Sequence, residues 1–359
     1  MDLPLKPPLK PMLAATADSI PQHMAYEPKW DGFRALIFRD HEEVRIFSRS
    51  GNELSAYFPD VIVAVKEQSP ARCVLDGELV VIDGNGLKFT RLLERSGSAP
   101  YKISKLVASR PASVIVFDLL ALDDRSLLDQ PYAVRRELLE HVLADAEPPI
   151  CLSPMTTDIE VAEQWFDEFE GNGLDGVMAK PLDGRYHPGL RSMWKIKHRR
   201  DADVVLGGFR LHKNSSPSRP LLGVMHLGVY DERGRLNWVG ACSGLGFTLR
   251  EQLLEVLLPL ALSPGTPQWD AHPWTGPLTP DSPRRPTPGP RSGGPDEDTY
   301  LLEPELVCEV VYDHLEDDRR FRSNAAFVGF RPDKLPRECT FEALGVRTSV
   351  DLRSILGPL

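Results

Sequence analysis

The chain changes character once, near residue 200, and that break limits what it can fold into. Up to about residue 198, strand-like apolar runs alternate with stretches of helical period. Val44-Arg45-Ile46-Phe47, the run from Val74 to Val80 and the run from Val114 to Leu120 read as strands. Pro131 to Leu143 reads as a helix with Leu138, Leu139, Val142 and Leu143 on one stripe, and Ile159 to Phe169 reads as another. From Ala202 the pattern is β-rich: Val204 to Leu206, Leu221 to Tyr230, Leu236 to Ala241 and Leu306 to Tyr312, interrupted by one helix from Leu249 to Leu260. At 359 residues the chain is long enough for two cores, so the pattern predicts an α+β protein of two domains. Residues 263–298 are rich in Pro and Gly, including Pro286-Thr287-Pro288-Gly289-Pro290 and Ser292-Gly293-Gly294-Pro295. Proline removes backbone donors and glycine resists ordering, so this stretch is expected not to form a packed element. A loop so long is either a functional arm or disordered.

Other classes drop out on composition. Five cysteines are scattered without a CxxC pair, which suggests neither a zinc site nor a disulfide framework. No run of ~20 apolar residues occurs, so no membrane span is expected. The Pro-rich start lacks the apolar stretch of a signal peptide, which predicts cytoplasmic residence. The net charge of −10 argues against a protein coated in basic residues. Two local runs qualify this: Lys195-Ile196-Lys197-His198-Arg199-Arg200, and the group Arg319, Arg320, Arg322, Arg331, Lys334 and Arg337. Affinity for a polyanion depends on the face that meets phosphate, not on the total.

The chemistry centres on Lys29-Trp30-Asp31-Gly32. Glycine lets backbone crowd a ligand, and the Asp can hold a metal or fix an ammonium. A nucleophilic lysine attacks only as the neutral amine, against a reference pKa of about 10.4. Bringing such a group to neutrality near pH 7 takes ~3 units, roughly 4 kcal/mol, from nearby positive charge or desolvation. The rest of the chain must therefore supply cations and phosphate binders. Strand alternation in Met193 to Lys197 puts Lys195 and Lys197 on one face, with Trp194 and Ile196 on the other. Two ammonium groups on one face call for an anion between them, unless the segment is a solvated edge strand. Asp76 and Glu78 share a face of their strand. Phe117 on its own reads as a core residue, and Asp175-Gly176 as a turn pair.

Laid out in order, these segments resemble the motifs of the covalent nucleotidyltransferases, the superfamily of DNA ligases, RNA ligases and capping enzymes. The segments are Lys29 to Arg34, Ser48-Arg49-Ser50-Gly51, Val74 to Val80, Val114 to Leu120, Leu174 to Lys180, Met193 to Lys197 and Arg331-Pro332-Asp333-Lys334. The closest likeness is to short bacterial ATP-dependent DNA ligases of the LigC type and to the ligase module of bacterial end-joining proteins. It implies a nucleotidyltransferase (adenylation, ATP-grasp-like) domain over residues 1–198 and an OB-fold domain over 199–359, carrying the insertion at about 263–298. NAD-dependent ligases carry a four-cysteine zinc module that is absent here. By resemblance Lys29 is the nucleophile, and Lys195 and Lys197 hold the α-phosphate. Glu27 is the purine-side contact, Arg34 and Arg49 reach ribose and phosphate, Glu78 accepts from a ribose hydroxyl, and Phe117 stacks on adenine. Asp175 stands where most ligases have Glu and is the implied metal ligand. Arg331 and Lys334 orient pyrophosphate. The implied cofactors are ATP and Mg²⁺ (or Mn²⁺). The implied partners are nicked double-stranded DNA and a repair polymerase or primase, with the chain acting as a monomer at the nucleoid. The alternatives are an RNA ligase or capping enzyme, and a non-catalytic OB-fold DNA-binding protein.

Overall fold

Alternation of apolar residues along short strands organises both halves of the chain. The computed structural model describes residues 1–83, 86–96, 98–168, 174–198, 200–216, 218–275, 279–286, 299–316 and 318–344, with the side chain of residue 175 excepted. Among the described residues the chain divides into two compact units, residues 1–198 and 200–344.

The first unit runs β1 (Leu13–Thr16), β2 (Ala25–Trp30), β3 (Phe33–Asp40), β4 (Glu43–Ser48), α1 (Pro59–Gln68), β5 (Arg72–Asp83), β6 (Gly86–Leu87), α2 (Phe89–Ser96), α3 (Pro100–Ser109), β7 (Ala112–Leu122), β8 (Arg125–Ser126), α4 (Tyr132–Val142), β9 (Ile150–Leu152), α5 (Ile159–Glu168), β10 (Leu174–Lys180) and β11 (Arg191–Ile196). Two sheets result. A seven-stranded sheet has the order β4-β3-β5-β7-β8, with β6 beside β5 and β9 beside β7; a four-stranded sheet has the order β1-β11-β10-β2. In β3 the alternation sends Ala35 and Ile37 into a core with Val61 and Val65 of α1 and Leu139 of α4. Leu36 and Phe38 go the other way, to a second core that also takes Met193 of β11. The two sheets therefore face each other, while α5 covers the far side of the small one through Ala162 and Phe166, against Tyr26, Val177 and Ile196.

The second unit runs β12 (Arg200–Leu211), β13 (Leu222–Tyr230), β14 (Leu236–Cys242), α6 (Phe247–Leu257), α7 (Pro267–Asp270), β15 (Thr299–Leu301), β16 (Val307–Tyr312) and β17 (Ala326–Phe330). Its antiparallel sheet has the order β14-β13-β12-β16-β17, with β15 added beside β12. Leu253, Leu254 and Leu257 of α6 close its core.

One expectation fails here. Part of the Pro/Gly-rich stretch is packed. Thr266 caps the short α7, whose first residue is a proline that needs no intrahelical donor. Trp274 is buried in the core of the unit and donates from Nε1 to the Leu236 carbonyl at 3.0 Å. Arg284 pairs with the edge of β14, its carbonyl accepting from the Trp238 amide. Residues 276–278 and 287–298 lie outside the described residues. Proline content set the expectation; the apolar payload of Trp269 and Trp274 overrides it, since one buried tryptophan removes 150–250 Å² from water.

Candidate active site

The nucleophile candidate is fixed by its neighbours on β2. Trp30 is buried and donates from Nε1 to Ser153 Oγ at 2.9 Å, and Tyr26 anchors the strand on the α5 side. Alternation then leaves Glu27 and Lys29 together on the opposite face. Across the small sheet, Glu27 pairs with Met178 of β10, and Met178 with Lys195 of β11. Lys195 thus shares a row with Glu27, on the face opposite the buried Ile196. β11 lies between β1 and β10, so the alternative of a basic edge strand is removed.

Beyond the intervening row of Pro28, Val177 and Ile196 stands Lys29. Leu174 pairs with Trp30 and Val177 with Pro28, so Asp175 and Gly176 together oppose Lys29 in a β-bulge. Gly176 has φ +111°, and a Cβ there would fall 1.9 Å from the Ile196 carbonyl and 3.1 Å from Lys197 Cα. Only glycine tolerates both demands. Lys29, the Asp175-Gly176 bulge and Lys197 are therefore neighbours in backbone position; the Asp175 side chain lies outside the described residues.

The large sheet supplies the rest. Arg34 of β3 pairs across the strands with Glu78 of β5. Its guanidinium forms two 2.6 Å hydrogen bonds to the buried Asp76, which also accepts from the Tyr186 hydroxyl at 2.6 Å. The same guanidinium lies 4.5 Å from the ring centre of Phe117 on β7. Glu78 accepts from the Gly32 amide at 3.2 Å. Gly32 is obligatory, because a Cβ would lie 2.1 Å from the Leu79 carbonyl. Burial pushes the Glu78 carboxyl up to about 7, against the lowering effects of Arg34 and Lys29. Charges on Lys29, Arg34 and Glu78 are thus close enough to feel one another.

Several residues in this arrangement were not singled out from the sequence. Lys180, at the end of β10, is 3% exposed, and its Nζ lies 2.7 Å from Glu27 Oε2. Tyr132 of α4 donates its hydroxyl to Glu27 Oε1, and Arg136 of α4 brings Nη1 to 3.6 Å of the same oxygen. Lys180 was findable: it stands two residues after Met178, so alternation puts it on the face of Glu27. Tyr132 and Arg136 were not, since a helix more than a hundred residues away gives no local signal.

Two groups of expected residues stand apart. Arg49 is exposed in the turn after β4, and no hydrogen bond or ion pair among the described residues ties it to the others. Arg331 and Lys334 belong to the second unit, where carboxylates hold them. Arg331 makes two hydrogen bonds to Asp333 and a third to Asp203 at 3.0 Å, and lies 3.4 Å from Glu309. Lys334 Nζ is 3.6 Å from Asp203. The Arg331 hydrogen bonds hold the Asp333 carboxyl down at about 2. Among the described residues no group of three His, Cys, Asp or Glu side chains is placed to hold a metal.

Residues 11–197 match the model of the ATP dependent DNA ligase domain, and residues 218–334 that of the ATP dependent DNA ligase C terminal region. The chain belongs to the ATP-dependent DNA ligase family. It is similar to DNA ligase C2 of Mycolicibacterium smegmatis, with 44% identity over 349 residues covering 96% of each chain. It is 34% identical over 342 residues to LigD of Mycobacterium tuberculosis, a multifunctional non-homologous end joining DNA repair protein; the match takes in 93% of this chain and 40% of LigD. A solved Lig E DNA ligase shares the fold at 15% identity, with a TM-score of 0.56 over 90% of this chain and 99% of that one. The first unit is thus an adenylation domain and the second an OB-fold domain. No described helix in this ligase family member is long and apolar enough to cross a membrane.

Proposed function

We propose that the protein seals nicks in duplex DNA that carry a 5′-phosphate and a 3′-hydroxyl, using ATP through a lysyl-AMP intermediate. The neutral Lys29 amine, its proton lost to solvent, attacks the α-phosphorus of ATP. A P–N bond forms, the bond to the bridging oxygen breaks, and pyrophosphate leaves. The 5′-phosphate of the nick then displaces Lys29 to give adenylated DNA, and the 3′-hydroxyl displaces AMP to form the phosphodiester. In each step the protein's part is positioning and neutralisation of charge.

The observation that carries this reading is the arrangement on the small sheet: Glu27, Met178 and Lys195 form one row, and two positions along the strand the Asp175-Gly176 bulge opposes Lys29, with Lys197 beside Gly176. Lys195 on an inner strand and Lys197 just past its end fit an α-phosphate between them and Lys29. Phe117 is the ring on which adenine stacks, with Glu27 on the purine side. Glu78 and Arg34 serve the ribose, and Arg49 reaches phosphate. Mg²⁺ (or Mn²⁺) at Asp175 would neutralise phosphate charge. One protein carboxylate plus phosphate oxygens and water is a common way to hold Mg²⁺. Arg331 and Lys334 grip pyrophosphate in the first step. The domain boundary falls after residue 198, with the OB-fold domain over 199–359. The protein acts as a monomer at the nucleoid, in DNA repair, beside a polymerase or primase.

Incubation with α-labelled ATP and Mg²⁺, followed by nicked duplex DNA or nicked RNA, tests the reading. Label is expected on the protein and then sealing of the DNA. Lys29→Ala and Lys29→Arg should carry none, because arginine stays protonated. Label on Lys29→Arg would sink the assignment.

A further inference from the structure

Glu27 is a buried carboxylate, 2% exposed, and three side chains converge on it. Lys180 Nζ lies 2.7 Å from Oε2, the Tyr132 hydroxyl donates to Oε1, and Arg136 Nη1 stands 3.6 Å from Oε1. Lys29 is two residues along the same strand. Lys180 is itself boxed in: its ammonium lies 4.7 Å from the ring centres of both Phe117 and Tyr132 and donates to the Phe117 carbonyl at 3.4 Å. A lysine so deep is rare unless paired. This one touches both the ring and the carboxylate proposed to meet the base.

We propose that Lys180 is a positioning residue that sets the base preference of the nucleotide site, anchoring one oxygen of the Glu27 carboxylate so that its remaining acceptor sites face the base. The inference rests on the reading of Glu27 as the purine-side contact. An ionised carboxylate has about four acceptor sites and no donor. Lys180 and Tyr132 use one on each oxygen, which leaves acceptor capacity for the base. Burial and the Glu27 charge hold the Tyr132 phenol well above its usual range, so it stays a donor to Glu27. A 6-aminopurine offers an N–H to the remaining capacity. A 6-oxopurine offers a lone pair and is repelled, with its carbonyl left unpaired in a buried setting. Without the ammonium, Oε2 loses its anchor and the carboxylate is free to turn from the base. The distinction between amine and carbonyl then weakens. Arg136 limits this loss only in part: Nε and Nη2 are engaged by Glu140 and the Ser153 carbonyl, while Nη1 has no hydrogen-bond partner.

The test compares ATP with inosine triphosphate, in which a carbonyl replaces the 6-amine, as donors for labelling of Lys29. The ratio of their kcat/KM values is the readout, because the fraction of active protein cancels from it. The unaltered protein is expected to favour ATP strongly. Lys180→Met should lower that preference by at least about tenfold, chiefly through KM, since a site built around one hydrogen bond loses its discrimination when the bond is replaced. Lys180→Arg should restore most of it. Glu27→Gln, which adds an amide donor, should lower the preference too, and Lys180→Ala stands in if Lys180→Met does not fold. A merely structural lysine predicts weaker labelling by both nucleotides at an unchanged ratio. An unchanged ratio in Lys180→Met, or in Lys180→Ala where only that variant folds, overturns the proposal; an unchanged ratio in Glu27→Gln overturns its premise. Absence of any labelling in the unaltered protein would instead overturn the ligase reading itself.

Discussion

The adenylation domain and the OB-fold domain both bind their key arginines with carboxylates, but in different surroundings. In the first, Arg135 and Asp118 form two hydrogen bonds of 2.8 and 2.9 Å with essentially no exposure, and Arg34 is held in the same bidentate way by the buried Asp76. In the second, Arg331 meets Asp203, Asp333 and Glu309 in pairs that keep about a fifth to three-fifths of their side-chain surface. A buried pair cannot exchange partners cheaply, because each separated ion would be left desolvated. An exposed one can, since water and salt already compete for it. The first arrangement is a fixed scaffold; the second suits cations that trade one anionic partner for another.

The contrast breaks most visibly if Arg331 is removed. Arg331→Ala should reduce lysine adenylation by a hundredfold or more, the scale of losing one charge-stabilising donor. It should still seal a nick whose 5′ end is already adenylated at close to the unaltered rate, since no pyrophosphate is then released. Lys195→Ala should harm both reactions, because the α-phosphate takes part in each. Equal defects of Arg331→Ala in the two assays would mean that this segment grips DNA, and the second arrangement would then be a nucleic-acid contact.

Next in size comes stability. Asp118→Asn leaves Arg135 buried without its counter-charge and should cost about 3–5 kcal/mol in denaturant unfolding. Asp203→Asn should cost under about 1 kcal/mol. Similar losses would erase the distinction between scaffold and exchangeable clamp.

A smaller effect sharpens the account of the first domain. The Glu78 carboxyl is raised in the folded protein to about 7. Its neutral form therefore favours folding, with the contribution complete below the ordinary carboxylate range and lost as pH rises through about 7. Glu78→Gln, which cannot ionise, should match the unaltered protein below about pH 4 and become relatively more stable by about pH 8.5. The gain is on the order of 2 kcal/mol after allowance for partial exposure. Thermal melts across that range test it, and a difference that does not change with pH would contradict the burial argument.

Much of the fold was legible because alternation is a local signal. The strand expected from Val44 to Phe47 is β4, the one from Val114 to Leu120 lies within β7, and the helix expected from Pro131 is α4. The shared face of Lys195 and Glu27 follows from the same rule once register is known. Register is not local, and there the reading thinned. Nothing in Leu174-Asp175-Gly176 announces that two residues oppose one across β2. Nothing near Glu27 foretells that Tyr132 would reach it from α4. The Pro/Gly-rich stretch failed in the other direction: its composition spoke for solvent, and two tryptophans outweighed it.

Trp274 lies over Gly207, where even a methyl group would sit 2.5 Å from its ring. The segment from Ser263 to Thr275 therefore behaves as a stopper, seated by Trp274 on the sheet of its own unit. Its ancestry is constrained from both sides. Gly207 cannot enlarge while the tryptophan stays, and the tryptophan cannot shrink without opening a void in the core. Insertions and deletions between related chains should collect beyond that stopper, and a shortened version of the protein would have to begin its cut there as well.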